Sequence, residues 1–256
     1  MKYHLFQNKE TEQLFANNKL ATFSELWELE SEWFEEPNQR RNGWSGVIKY
    51  SLTDDKGEAI PVFIKRQENH NHKTLLHPIK GVPTFRREYF NILRLQQKSV
   101  PTIEPLYYGE RLVKGNAQSI LITRSLEGYI SFEELFELQK LPPADTIQKI
   151  MQTAGQTVRL MHNANYRHGA LFPKHFFTRY SDNEVDVRLI DLEKLKWLPF
   201  KNRLSFNDLS RVIRRRPAGS RDEFNILIDA YLSYGEDLSN SSLARKLKAL
   251  SQRINH

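Results

Sequence analysis

Three charged residues stand where a charge needs an explanation. Lys65 closes the apolar run Val62-Phe63-Ile64-Lys65. Strand alternation puts it on the face of Phe63, opposite Val62 and Ile64. A lysine there either snorkels to water or offers its ammonium to an anion such as a phosphate. Glu88 shares a helical stripe with Phe85, Ile92 and Leu95, at i−3, i+4 and i+7. A carboxylate inside an apolar stripe is costly to bury without a cation. Arg86 and Arg87 point to other faces of the helix, so the partner must come from another element. Lys65 is the candidate, and a solvated stripe edge is the plainer alternative. Asp191 follows the alternating Val185-x-Val187-x-Leu189, and its parity places it on their face as the strand ends. A carboxylate leaving a buried strand suits Mg²⁺, which takes one or two carboxylates plus phosphate oxygens. A turn or cap aspartate is the ordinary alternative.

The elements that must position these residues follow from periodicity and turn chemistry. Residues 24–36, SELWELESEWFEE, carry six glutamates around Leu26, Leu29 and Trp33 and predict an acidic amphipathic helix. Residues 46–52 and 61–66 alternate as strands, and Asp54-Asp55-Lys56-Gly57 between them predicts a hairpin. Residues 68–83 read as a polar loop, and 84–97 as the helix of Glu88. Two short strands, around Leu106-Tyr107-Tyr108 and Ile120-Leu121-Ile122, are joined by a turn at Gly115-Asn116. Beyond a break at 125–130 the character changes. Asp145 is the expected N-cap of a helix over 146–162, whose stripe is Ile147, Ile150, Met151, Ala154, Val158 and Met161. A loop from His168 to His175 and the strand 185–189 follow, and 206–256 read as helices rich in Arg and Lys. The expected organisation is α+β and two-lobed: a small β-rich N-terminal lobe over 1–126 and a mainly helical C-terminal lobe over 127–256.

Spacing ties the three residues together. Lys65 precedes Glu88 by 23 residues, and Asp191 follows His168 by 23. Small-lobe lysine, helix glutamate, hinge, loop and metal aspartate is the order of elements in a protein kinase. The chain resembles the lipopolysaccharide core kinase family of Kdo/WaaP type, and within it the InaA-like proteins. Phe63-Ile64-Lys65, Arg86-Arg87-Glu88-Tyr89, Ile120-Leu121-Ile122-Thr123, His168-Gly169-Ala170-Leu171-Phe172-Pro173-Lys174-His175-Phe176 and Arg188-Leu189-Ile190-Asp191-Leu192 carry the resemblance, from about residue 40 to about residue 215. It implies a protein-kinase-like fold and transfer of phosphate from ATP to a sugar of the lipopolysaccharide inner core. On it, Lys65 would bind the nucleotide phosphates and Glu88 would orient Lys65. His175 and Asp191 would sit where metal ligands sit, with Mg²⁺ as the metal. Asp208 would brace the catalytic loop.

The chain departs from the family at one decisive position. The family's loop has the form His-x-Asp, in which the aspartate accepts the acceptor hydroxyl's proton. Here the loop is His168-Gly169-Ala170. General base catalysis is worth roughly 10²–10⁴-fold, so Ala170 implies a slow enzyme, a substitute base, or a nucleotide-binding pseudokinase acting as a scaffold or stress-response regulator. His168 is adjacent, and its counterpart in kinases is structural. Lys174 is placed to face a phosphate and is a poor base unless its pKa is strongly lowered. Gly43-Trp44-Ser45-Gly46, ahead of the first strand of the hairpin, is the candidate phosphate-covering loop, with Gly43 and Gly46 leaving backbone N–H groups free to approach. Only 17 residues separate Asp191 from Asp208. A peptide-docking segment needs more, so the acceptor is expected to be a core sugar or another small molecule.

Composition sets the outer limits. The chain has 256 residues, no cysteine and a net charge of +7. Disulfides and Cys-based zinc sites are excluded, and no run approaches the ~18 apolar residues of a transmembrane helix. The N-terminus lacks the apolar run of a signal peptide. The expected location is cytoplasmic, with peripheral contact at the inner membrane as the alternative. His70, His72 and His77 are compatible with a metal site but are read as a solvated polar loop. The basic stretches 211–216 and 245–248 read first as outer faces of packed helices. Attraction to anionic lipid or phosphorylated core sugar is the functional alternative. No aromatic residues interleave with these arginines, so nucleic acid is not expected as a partner.

Overall fold

The computed structural model describes residues 2–40, 43–73, 77–137, 141–181, 184–199 and 201–254. The chain divides into two compact units: Met1–Leu93 with Ile103–Glu127, and Arg94–Thr102 with Gly128–His256.

The first unit opens with β1 (Tyr3–Phe6), α1 (Lys9–Asn17) and α2 (Phe23–Glu28), followed by β2 (Trp33–Arg40), β3 (Gly43–Thr53), β4 (Ala59–Glu68), the short β5 (Asn71–His72) and β6 (Val82–Pro83), α3 (Thr84–Gln96), β7 (Pro105–Val113) and β8 (Asn116–Arg124). Six strands form one antiparallel sheet in the order β1-β7-β8-β4-β3-β2. The β3–β4 hairpin forms as its turn residues predict. Asp54 Oδ1 accepts the backbone N–H groups of Lys56 and Glu58 at 2.8 Å each, and Gly57 takes φ +81°. Phe15, Phe23, Leu26, Ile48, Leu52, Val62, Ile64, Leu106, Tyr107, Ile120 and Ile122 form its apolar core.

The acidic helix expected over 24–36 is corrected. Thr22 and Glu25 form a capping box that starts α2, but the helix ends at Glu28 and residues 33–40 are a strand. Arg66 gives the reason: its Nη1 donates to the carbonyls of Trp27 and Leu29 at 2.5 and 3.0 Å, taking up the helix's last acceptors. Its guanidinium also lies 4.9 Å from the Trp33 ring centroid, and Trp33 packs edge-on against Trp44. Cross-strand aromatic packing outweighs helical periodicity here. The expected loop 68–83 holds the paired β5 and β6, and its residues 74–76 lie outside the described residues.

The second unit contains β9 (Ile130–Ser131), α4 (Phe132–Glu137), α5 (Ala144–Asn163), β10 (Tyr166–Arg167), β11 (Phe176–Tyr180), β12 (Val185–Leu189), β13 (Lys196–Trp197), α6 (Lys201–Arg214), α7 (Arg221–Ser233) and α8 (Ser242–Arg253). Every residue of the predicted α5 stripe is buried. Its cap is not Asp145, however. Pro143 occupies the N-cap and Asp145 sits in the first turn, where its charge still complements the helix dipole. Gly155 brings α5 close to α7: a Cβ there would meet the Leu227 carbonyl oxygen at 2.3 Å. β11 pairs with β12 on one side and β9 on the other.

Candidate functional site

In the first unit Lys65 Nζ donates to Glu88 Oε1 at 2.6 Å. The Glu88 side chain is 5% exposed and that of Lys65 22%, so the carboxylate is desolvated while the ammonium keeps some access to solvent. Two contacts hold α3 where this pair can form. Gln67, two residues after Lys65 on β4, accepts at Oε1 from Thr84 Oγ1 (2.8 Å) and from the Phe85 N–H (3.0 Å), which caps the helix. Arg86 then clamps Glu110 on β7 through both carboxylate oxygens, and the Tyr108 hydroxyl donates to the same group. β4 therefore supplies both the lysine and the cap of the helix that carries its partner. Sequence reasoning missed Gln67 and the Arg86–Glu110 clamp. Glu110, a lone carboxylate two residues past the buried Tyr108, was the available signal.

His70 belongs to this scaffold, correcting its assignment to a solvated loop. It is 8% exposed, and its Nδ1 lies 3.2 Å from Thr84 Oγ1. Gly43 and Gly46 are also relocated. Both lie within β3 rather than ahead of it, and close packing accounts for them. A Cβ on Gly43 would meet the Glu68 carbonyl oxygen at 2.1 Å, and one on Gly46 the Trp33 ring at 2.7 Å.

In the second unit the loop from His168 is built around Asp208 of α6, which is fully buried. Its Oδ2 accepts the His168 N–H at 2.7 Å, and its Oδ1 accepts the Gly169 N–H at 3.0 Å. His162 Nε2 lies 3.3 Å from Oδ2, and Arg211 Nη1 lies 3.5 Å from Oδ1. Burial alone would raise this carboxyl, yet His162 and the Gly169 N–H hold it below the usual carboxylate range. Arg211 also donates to the Gly169 carbonyl at 2.7 Å. Gly169 has φ +80°, and a Cβ would lie 2.6 Å from the Lys194 carbonyl oxygen, so no other residue fits without displacing backbone. Ala170 follows, 4% exposed.

His168 donates from Nε2 to the Ile190 carbonyl at 2.9 Å, fixing the backbone just before Asp191. It stacks on His175 with ring centroids 5.6 Å apart. Burial lowers the pKa of both imidazoles. His175 gives its Nδ1 proton to the Ala170 carbonyl at 2.7 Å. Its Nε2 then carries a lone pair, and that atom lies 3.4 Å from Asp191 Oδ2. Two acceptors facing each other at this distance are satisfied by a cation between them. Asp191 itself sits in the left-handed region at φ +58°, ψ +58°, an uncommon conformation that Asp tolerates better than most residues. The strand ends at Leu189, so the parity expected for Asp191 is replaced by a turn that leaves its side chain 44% exposed. Lys174 lines a cavity with Arg214, Arg215 and Arg216.

Among the described residues no group of three or more His, Asp or Glu side chains is gathered as a metal cage. His175 and Asp191 supply one imidazole and one carboxylate. That set suits a divalent cation whose remaining ligands are phosphate oxygens and water.

An antiparallel sheet with an ion-paired helix, and a helical unit whose His-led loop hangs on a buried aspartate, define a protein-kinase-like fold. A solved structure of WaaP in complex with acyl carrier protein matches it with a TM-score of 0.65 and 17% identity, over 98% of each chain. The family model "Lipopolysaccharide kinase (Kdo/WaaP) family" matches residues 24–231, and the chain belongs to that family. Among curated proteins, "Protein InaA" of Escherichia coli (strain K12) is 28% identical over 179 residues, covering 69% of this chain and 79% of the relative.

Proposed function

We propose that the protein is an ATP-dependent phosphotransferase of the lipopolysaccharide-core type whose chemical step is slowed by Ala170. The buried Lys65–Glu88 pair, 2.6 Å apart, carries this reading. A desolvated carboxylate held by a helix cap and a second ion pair is an expensive way to keep one lysine in place, and nucleotide phosphates are what that lysine would meet. Gly43 and Gly46 would let backbone approach the same phosphates. His175 Nε2 and Asp191 would hold Mg²⁺, which when bound neutralises charge on the transferring phosphoryl group. His168 positions Asp191 through the Ile190 carbonyl, and Asp208 fixes the loop that would meet the acceptor, a core sugar or other small hydroxyl compound.

One observation favours a second reading. Ala170 is buried and offers only a methyl group where a proton acceptor belongs. Asp208 is committed to backbone N–H groups, so it does not replace the missing base. On this second reading the protein binds nucleotide without turning it over and acts as a scaffold or stress-response regulator.

Thermal unfolding with ATP and Mg²⁺ tests what both readings share. Ligand at ~100 times its Kd stabilises by about 2.7 kcal/mol, a shift of several degrees. Lys65→Ala should abolish the shift, and no shift at millimolar ligand sinks both readings. Phosphate transfer to purified core oligosaccharide separates them. Native activity lost in Lys65→Ala supports the enzyme. Activity present only in Ala170→Asp, a gain of about 10²-fold or more, supports the pseudokinase.

A further inference from the structure

A cavity of about 600 Å³ lies in the second unit, and its lining is strongly one-sided in charge. Lys174, Arg214, Arg215 and Arg216 face it, against the single carboxylate of Glu133. Arg214 and Arg215 are exposed and make no ion pair with any described residue. Arg216 differs in kind. It is 4% exposed, and its guanidinium donates only to carbonyls, those of Ile213 (3.4 Å), Ser251 (3.3 Å) and Ile254 (2.6 Å). A buried guanidinium met by dipoles alone keeps its full charge. Burial and the nearby Arg221 weaken its hold on its proton. Three successive arginines and a lysine within one cavity repel one another, and an anion would relieve that repulsion.

The position of the cavity gives the anion a role. Arg211 of α6 binds the Gly169 carbonyl. Arg214 and Arg215 lie one helical turn further on, a rise of roughly 5.4 Å. Lys174 and Phe172 come from the loop that begins at His168 and contains Ala170. The cavity therefore adjoins the point where an acceptor hydroxyl would react. Its volume suits one or two sugar rings. Phe172 offers an apolar face, and the arginine forks match phosphate oxygens.

We infer that this cavity is a binding site for a phosphate-bearing sugar and holds the acceptor through its existing phosphate groups. Its role as an acceptor site rests on the phosphotransferase reading; binding itself needs no nucleotide. The shared chemistry is the phosphomonoester, whether on a free sugar or on the sugar head of a glycolipid. An enclosed cavity selects the sugar phosphate over a flat bilayer surface.

Calorimetric titration of the full chain with a glucose bisphosphate tests this. Saturable binding is expected, with none for glucose. The Arg214→Gln/Arg215→Gln double variant should weaken binding about tenfold or more, and Lys174→Gln several-fold. Both arginines are exposed, so an unchanged melting temperature will show that the variant folds. Affinity should fall as salt rises from about 50 to about 300 mM. No binding, or binding unchanged by the double variant, overturns the site. Vesicles of phosphatidic acid that bind through the same arginines, undisplaced by the soluble bisphosphate, overturn it in favour of a lipid surface. The ATP–Mg²⁺ thermal shift, measured on the same proteins, stands apart. If it is absent while arginine-dependent bisphosphate binding remains, the site stands and the nucleotide reading falls.

Discussion

At the scale of single residues, Asp208 decides whether the loop exists. It is fully buried and spends both carboxylate oxygens on the loop's backbone and on His162 and Arg211. Asp208→Asn removes the charge and turns one acceptor into a donor facing an N–H. A loss of about 3 kcal/mol is expected in chemical denaturation. The pH dependence follows from the direction of its shift. The folded-state pKa lies below the ordinary value of 3.8, so the unfolded chain binds this proton more readily. The contribution is complete above that value and is lost as pH falls through the folded-state pKa. Acid unfolding of the native protein should therefore steepen below about pH 4, and the Asn variant should lack that part of the slope. An Asn variant with the same acid profile as the native chain would show that other carboxylates set it.

At the scale of elements, α3 is placed by β4 and β7 together. Glu110 is the anchor on β7, its side chain 5% exposed and shared between Arg86 and Tyr108. Glu110→Ala leaves the Arg86 guanidinium without its carboxylate and should cost about 3–5 kcal/mol. It should also weaken ATP–Mg²⁺ stabilisation although residue 110 would touch no nucleotide, because Glu88 rides on the helix it releases. Full retention of the ligand-induced shift would show that the Gln67 cap alone positions α3. Most of these elements were legible in the sequence because their signals are local: the Asp54–Gly57 turn, the α5 stripe, the alternation of β3, β4 and β12. The Lys65–Glu88 pair was legible because a charge in an apolar stripe demands a partner. What escaped was decided by distant residues. Arg66 ends α2 from a strand that begins 31 residues after that helix does, and periodicity has no access to such a contact. Asp191 escaped strand parity because its left-handed backbone breaks the alternation. Pro143 displaced Asp145 as cap because its fixed φ already suits a helix start.

At the scale of the whole molecule, charge and chain economy matter most. No described helix is long and apolar enough to cross a membrane, and the net charge is +7. Net charge of this kind gives weak, long-range attraction rather than a fixed geometry. Co-sedimentation with anionic vesicles should be measurable at about 20 mM salt and gone by about 500 mM, where the Debye length falls to a few ångströms. Persistence at high salt would point to an apolar insertion that charge does not provide. Economy shows in the 17 residues from Asp191 to Asp208. A single short helical turn at Leu192–Lys194, a two-residue strand at Lys196–Trp197 and the start of α6 fill most of that interval. Many phosphotransferases place a covalent on–off switch at this point, a loop that is rearranged when modified. This chain has no length to spare for one. Its output would then be governed by how many copies the cell makes and by supply of its ligands, so changes in its expression should be read directly as changes in its activity.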